Sequence, residues 1–226
     1  SINSYTISFD LNGGTGTAPE SQLCVFGASA VLPAQGDFGR EHYDFLGWAE
    51  EPEATQPLGE FPMPAGDRTL YAVWSRVPVT LEALAGSTGV VDEANGFIYG
   101  LGFGLTTAIY EAQYLDIVGD GSLVFTPTPL GPGTGTKVEL IDNVTGEVLK
   151  TYTIVIYGDV NGDSRADAID ADLCVGVQDW VIVWDPVADA CYYEAADLNG
   201  NGRVESLDAD TITAVYDWVL AIDQAT

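Results

Sequence analysis

Two stretches of the chain carry oxygen-bearing side chains at matching intervals: Asp159, Asn161, Asp163, Asp167 and Asp170 in one, Asp197, Asn199, Asn201, Glu205 and Asp208 in the other. Numbered from the first Asp, these are positions 1, 3, 5, 9 and 12 of a loop, a spacing that wraps carboxylate and amide oxygens around a hard cation. Carboxylates gathered this closely repel one another unless a divalent cation neutralises them, and calcium tolerates the many oxygen ligands such a loop offers. The residues therefore predict two Ca2+ ions, one per loop. Asp159, Asn161, Asp163 and Asp170 are expected to ligate the first through side chains and Arg165 through its main-chain carbonyl, with Asp167 acting through a water. Asp197, Asn199, Asn201, Asp208, the Arg203 carbonyl and Glu205 repeat the set.

The repeat extends past the loops. Asp170-Ala171-Asp172 returns as Asp208-Ala209-Asp210, and Asp179-Trp180-Val181 as Asp217-Trp218-Val219. Two positions depart from an EF-hand loop: position 12 is Asp instead of Glu, and position 6 of the first loop is Ser164, where Gly would ease the turn. The run Thr151–Tyr157 is β-branched and aromatic, so a strand is expected to enter the first loop where an EF-hand has a helix. Helices are expected to leave both loops. Apolar residues recur at helical spacing from Ala168 to about Val183 (Ile169, Leu173, Val177, Trp180, Val181, then Trp184) until Pro186 stops them. Leu207, Ile212, Val215, Trp218 and Val219 repeat the pattern from Ser206 to about Ile222. Two such helices carry more apolar surface than one buried stripe needs, and an exposed remainder marks a partner site; the alternative makes Trp180 and Trp218 core residues at pseudo-symmetric positions. Asp185–Ala196 reads either as a cover over these helices or as a linker.

Loop-then-helix, twice, with Gly158-Asp159-Val160-Asn161-Gly162-Asp163 as its opening, resembles the type I-like dockerin family over residues 158–223. The resemblance implies a calcium-dependent module that docks into a cohesin domain of a scaffolding protein, as in cellulosome-like assemblies, and it implies no catalysis. The family's recognition positions fall on Ala168 and Ile169 in one copy and on Ser206 and Leu207 in the other. These pairs differ, which argues against symmetric two-way docking.

Composition fits an extracellular binding protein. The 226 residues contain 34 acidic and 7 basic side chains, a net charge of −27, which disfavours nucleic acid and anionic membranes as partners. Hydrophobic content of 46% against 18% charged is enough to bury cores, so the chain is not an acidic disordered tail. No apolar run is long enough to span a bilayer and no signal peptide is visible, so the chain reads as a fragment beginning inside a domain, a monomer when free, without membrane insertion. Cys24, Cys174 and Cys191 cannot all pair; Cys174 aligns with Ile212 and reads as a core residue, with a Cys174–Cys191 bridge as the alternative. The single histidine, His42, has no partner nucleophile, and the carboxylates are placed in the loops; an enzyme is not expected.

Ahead of the loops lie two further regions. Tyr5–Asp10, Tyr43–Trp48 and Thr69–Trp74 read as strands, with Asn12-Gly13-Gly14 as a turn. The pieces Ser8-Phe9-Asp10-Leu11-Asn12-Gly13-Gly14, Tyr43-Asp44-Phe45-Leu46-Gly47-Trp48 and Leu70-Tyr71-Ala72-Val73-Trp74 resemble the internalin-type B repeat, which implies a small β-grasp-like domain acting as spacer or adhesion module on a bacterial surface. Trp48, Tyr71 and Trp74 read as its core, with a sugar-stacking platform as the alternative. Between the two ends, strand-like Phe97–Tyr99, Ser122–Thr126, Lys137–Ile141, Glu147–Lys150 and Tyr152–Tyr157, a short helix over Thr106–Leu115 and a hairpin at Asp142–Gly146 resemble the X-type modules that precede some dockerins.

The expected fold class is multi-domain α+β: residues 1–76 a β-grasp-like repeat, 77–157 a β-rich X-like module, and 158–226 an α-helical dockerin with two calcium loop–helix repeats. The expected function is anchoring of a larger secreted, surface-associated protein to a cohesin. The alternative is a cell-surface adhesin or carbohydrate-binding protein whose calcium module only stabilises its end.

Overall fold

Alternation along Tyr5–Phe9 turns one face of strand β1 (Ser4–Asp10) inward: Ile7 and Phe9 are buried while Ser4 and Asp10 are exposed. The computed structural model describes residues 3–217 and 219–224. They form two compact units that divide between Pro78 and Val79. The first unit adds β2 (Thr15–Gly16), β3 (Gln22–Val25), β4 (Ser29–Ala30), β5 (Phe38–Gly39), β6 (Tyr43–Ala49), β7 (Phe61–Pro62) and β8 (Arg68–Arg76). Its main sheet runs β3-β1-β8-β6, with β1 and β8 parallel and the other pairs antiparallel. The core is aromatic: Phe9 and Trp48 lie 4.7 Å apart by ring centroid, and Phe45 stands edge-on to both Trp48 and Trp74. The indole N–H groups of Trp48 and Trp74 donate to the Pro33 and Leu11 carbonyls. Trp48 is 1% exposed, so it is a core residue and cannot stack on a sugar.

The second unit contains β9 (Thr80–Ala83), β10 (Val90–Asp92), β11 (Phe97–Tyr99), α1 (Thr107–Tyr114), β12 (Leu115–Val118), β13 (Gly121–Thr126), β14 (Lys137–Asp142), β15 (Val148–Ile154), α2 (Ala168–Gln178), α3 (Ala190–Ala196) and α4 (Ser206–Tyr216). A five-stranded sheet runs β10-β11-β15-β14-β13, and β9 pairs with β12 beside it. Ile98, Leu101, Tyr110, Val138, Leu140, Tyr152, Ile154 and Ile156 form one core between sheet and α1. The β14–β15 hairpin closes where expected, with Gly146 N–H donating to the Asp142 carbonyl.

The expected fold class is corrected. The described residues are β-rich, 32% strand against 17% helix, with several sheets and four helices. No helix lies within the first unit among the described residues, so its sheet does not pack on a helix as a β-grasp would. Nor is there a separate α-helical calcium-loop domain. The helices are 11, 7 and 11 residues long and enclose a small core, Val160, Ala171, Cys174, Ala196, Val204, Ala209 and Ile212, but they do not stand apart from the sheet. They share a compact unit with the five-stranded sheet: Cys191 and Ala195 of α3 pack with Val155, Tyr157, Phe97 and Tyr99. The segment between the repeats is therefore a cover, not a linker.

Both outgoing helices are shorter than their apolar pattern predicts. Asp179 caps α2, Trp180 adopts a left-handed φ of 56°, and the Val181 and Ile182 N–H groups turn back to the Gly176 carbonyl. In α4 the Val219 and Leu220 N–H groups turn back to Ala214 in the same way. Trp184 thus lies beyond the helix and packs edge-on against Tyr193, 5.1 Å away by centroid. The incoming strand also ends early, at Ile154, and its extension is held by side chains: the Ile156 N–H donates to Thr134 Oγ1. All three cysteines are free thiols, so Cys174 and Cys191 form no bridge; burial pushes the Cys174 thiol up to about 12.

Candidate metal centre

A buried carboxylate needs donors, and in both loops the main chain supplies them. Asp159 Oδ1 accepts from the Gly162 and Asp163 N–H groups at 2.8 and 3.1 Å, and its Oδ2 from Ser164 at 3.0 Å. Asp170 Oδ1 reaches back to the Val160 and Asn161 N–H groups at 2.8 and 3.0 Å, and its Oδ2 accepts from Asp167 at 2.9 Å. The second loop repeats the pattern except at position 4, where the Gly200 N–H donates to the Asp197 main-chain carbonyl instead of the carboxylate. Asp197 accepts from Asn201 and Gly202, and Asp208 accepts from Leu198, Asn199 and Glu205. Asp167 with Asp170, and Glu205 with Asp208, form capping boxes at the starts of α2 and α4, so position 12 serves loop and helix together.

Asp159, Asp170 and Asp208 are each fully buried. Burial raises the carboxyl of Asp159 to about 7 and that of Asp170 to about 6, against the N–H bonds that favour the charged form. Asp208 is raised in the same sense and for the same cause. In the first loop, Asp163 Oδ1 is closed off from solvent and has no hydrogen-bond partner. Such an oxygen at position 5 fits a cation, because an orphaned buried acceptor is otherwise costly. Among the described residues no three His, Cys, Asp or Glu side chains converge as a ready-made cage. The sets expected from the spacing mix carboxylates with amides, Asp159, Asp163 and Asp170 with Asn161 in one loop and Asp197 and Asp208 with Asn199 and Asn201 in the other, and the structure does not draw the three carboxylates of the first loop into one cluster. Arg165 and Arg203, expected to ligate through their carbonyls, stand exposed at position 7 of their loops. A bound calcium would supply charge neutralisation here, and no chemistry beyond it.

The residues expected to meet a partner lie on the opposite side of each helix. Asp170, Ala171 and Cys174 of α2 and Asp208, Ala209 and Ile212 of α4 face inward. Ala168, Ile169, Ser206 and Leu207, on the first turns, are exposed, Ile169 by 59% and Leu207 by 56%. Trp180 is 83% exposed, which removes it from the core. Trp218 lies outside the described residues.

Several residues at the first loop were not anticipated. The Thr134 N–H donates to Asp159 Oδ2 at 2.9 Å, and Thr128 Oγ1 donates to the Gly162 carbonyl at 2.9 Å. The Gly104 N–H donates to both the carbonyl and the hydroxyl of Ser164, each at 2.9 Å. These come from the segments before α1 and between β13 and β14. The one sequence signal was Ser164 itself, a non-glycine at φ 68° where the turn favours Gly. A second contact arrives from the far end: the Gln224 side chain both accepts from the Tyr157 N–H and donates to its carbonyl.

Comparison with known proteins reaches the first unit most directly. Residues 5–73 match the Listeria-Bacteroides repeat domain, a repeat of bacterial surface proteins, in the region where the sequence resembles a B repeat. A protein of Evansella cellulosilytica described as "Putative membrane protein" is 28% identical over 158 residues, which cover 66% of this chain and 22% of that protein. The chain thus spans less than a quarter of this relative's length. No solved structure matches it. Among the described residues no helix is long and apolar enough to cross a membrane. The match to a repeat of bacterial surface proteins fits a cell-associated protein.

Proposed function

We propose that residues 158–226 are a non-catalytic, calcium-dependent anchoring element that attaches a larger secreted protein to a cohesin of a scaffolding protein, in a cellulosome-like assembly. The observation that carries this reading is the duplication of one hydrogen-bonded loop and helix, down to the same capping box and the same turn-back after each helix. Each copy presents a position-11 apolar residue, Ile169 or Leu207, to solvent. Trp180 adds to the argument. A bulky side chain in left-handed backbone, exposed by 83%, stabilises neither helix nor core, and strain of this kind at an exposed aromatic suits a partner contact. Matching the bacterial surface repeat, a second reading makes the chain a surface adhesin that uses calcium only for stability.

Calorimetric titration into a panel of cohesins, with calcium and with EDTA, separates the two. Tight one-to-one binding that needs calcium and is lost in the Asp159→Ala/Asp197→Ala double variant supports anchoring. Absence of binding to any cohesin, with calcium still raising the melting temperature, would leave the adhesin reading.

A further inference from the structure

Resting on the calcium reading above, we propose that the two loops are unequal: the β module holds the first in a fixed shape, so that it binds calcium more tightly, while the second is the loop that calcium orders. The two loops share a sequence pattern but not an environment. In the first, Asp159, Val160, Gly162 and Ser164 are buried, and Arg165 is the first exposed residue after Asp159. Four groups outside the loop grip it: the Thr134 and Gly104 N–H groups, the Thr128 hydroxyl, and the Tyr110 hydroxyl, 3.2 Å from Ser164 Oγ. Packing is tight enough that a Cβ on Gly133 would stand 2.1 Å from Asp159 Oδ2. In the second loop Asn199, Gly200, Asn201, Gly202 and Arg203 are all exposed, and Gly200 and Gly202 face open space. Among the described residues its hydrogen bonds are made within the loop and with α3, α4 and the Gln178 side chain, none with the β module.

A loop already held in place loses less conformational freedom when a cation binds, and rigidity is one of the levers that sets calcium affinity. The first site should therefore bind more tightly by at least about tenfold and release its ion more slowly. Ser164 is then a positioning residue: its hydroxyl accepts the strain of φ 68° because it is the point where the β module grips the loop.

Trypsin digestion of the intact chain tests this without any variant, because each loop has one arginine at position 7. In EDTA, cleavage after Arg203 should outpace cleavage after Arg165 by at least about tenfold, and saturating calcium should protect Arg203. Calorimetric titration with calcium should show two classes of site, the weaker one missing in Asp197→Ala. In Tyr110→Phe/Ser164→Gly the two classes should move together. Equal cleavage at both arginines, or loss of the tighter class in Asp197→Ala, would overturn the inequality alone. No heat of binding and no calcium effect on the melting temperature would instead remove the calcium reading on which it rests.

Discussion

The hydroxyls of Tyr110 and Ser164 meet at 3.2 Å, joining the middle of α1 to position 6 of the first loop across a buried contact. Tyr110 is 0% exposed and burial raises its phenol, so the hydroxyl stays neutral and able to donate. Tyr110→Phe removes one hydrogen bond while keeping the ring. Stability should fall by about 1 kcal/mol, read as a lower denaturant midpoint with unchanged slope. An unchanged midpoint would mean that the contact contributes nothing.

Gly133 has no room for a methyl group: its Cβ would stand 2.1 Å from Asp159 Oδ2, 2.5 Å from the Ser164 nitrogen and 2.6 Å from the Gly162 carbonyl carbon. Gly133→Ala must push the first loop away from the segment that grips it. A loss of about 2 kcal/mol is expected, together with weaker calcium binding at that loop. Wild-type affinity in a stably folded variant would show that the loop does not depend on this approach.

Trp180 makes the opposite case. Replacing it with glycine relieves left-handed strain at an exposed site, so Trp180→Gly should leave stability unchanged or raise it by about 0.5–1 kcal/mol. Cohesin titration should show weakened binding in the same variant. A drop in melting temperature would place Trp180 among the stabilising residues instead.

The buried carboxylates predict how stability depends on pH without calcium. Asp159 and Asp170 sit at about 7 and 6, above the unfolded value of about 4, so the folded state takes up protons that the unfolded state does not. Their contribution is complete below about pH 4 and fades as pH rises through 6 and 7. The metal-free melting temperature should therefore fall between pH 5 and 8, on the order of 5 °C. Calcium binds the ionised forms, so with saturating calcium the trend over the same interval should reverse. Parallel melting curves with and without calcium would contradict this.

What the sequence disclosed follows the range of the interactions involved. The starts of α2 and α4 are set by Asp167 with Asp170 and Glu205 with Asp208, three residues apart, and these were legible. The helix ends were not, because the apolar run continues through Trp180 and Val181 while the backbone turns back at Gly176. Strands β9, β10 and β12 are three or four residues long, too short to show a period of two. The separate helical domain was misread because the packing of Cys191 and Ala195 on Phe97, Tyr99, Val155 and Tyr157 joins residues far apart in sequence. Alignment of the repeats reveals both loops, but the grip of Gly104, Tyr110, Thr128 and Thr134 on only one of them spans tens of residues and leaves no local pattern. Ser164 in a glycine position was its single trace.

Chain order gives the first loop a further property. Gly104, Tyr110, Thr128 and Thr134 all precede it, so as the chain emerges the surface that receives the loop is made before the loop itself. The exception is Tyr157, at the loop's entrance, whose main-chain groups wait for Gln224, 67 residues downstream. Closing so long a segment is slow relative to local pairing. Assembly of this region should therefore end, not begin, at Tyr157, beyond the strand and just ahead of the first loop.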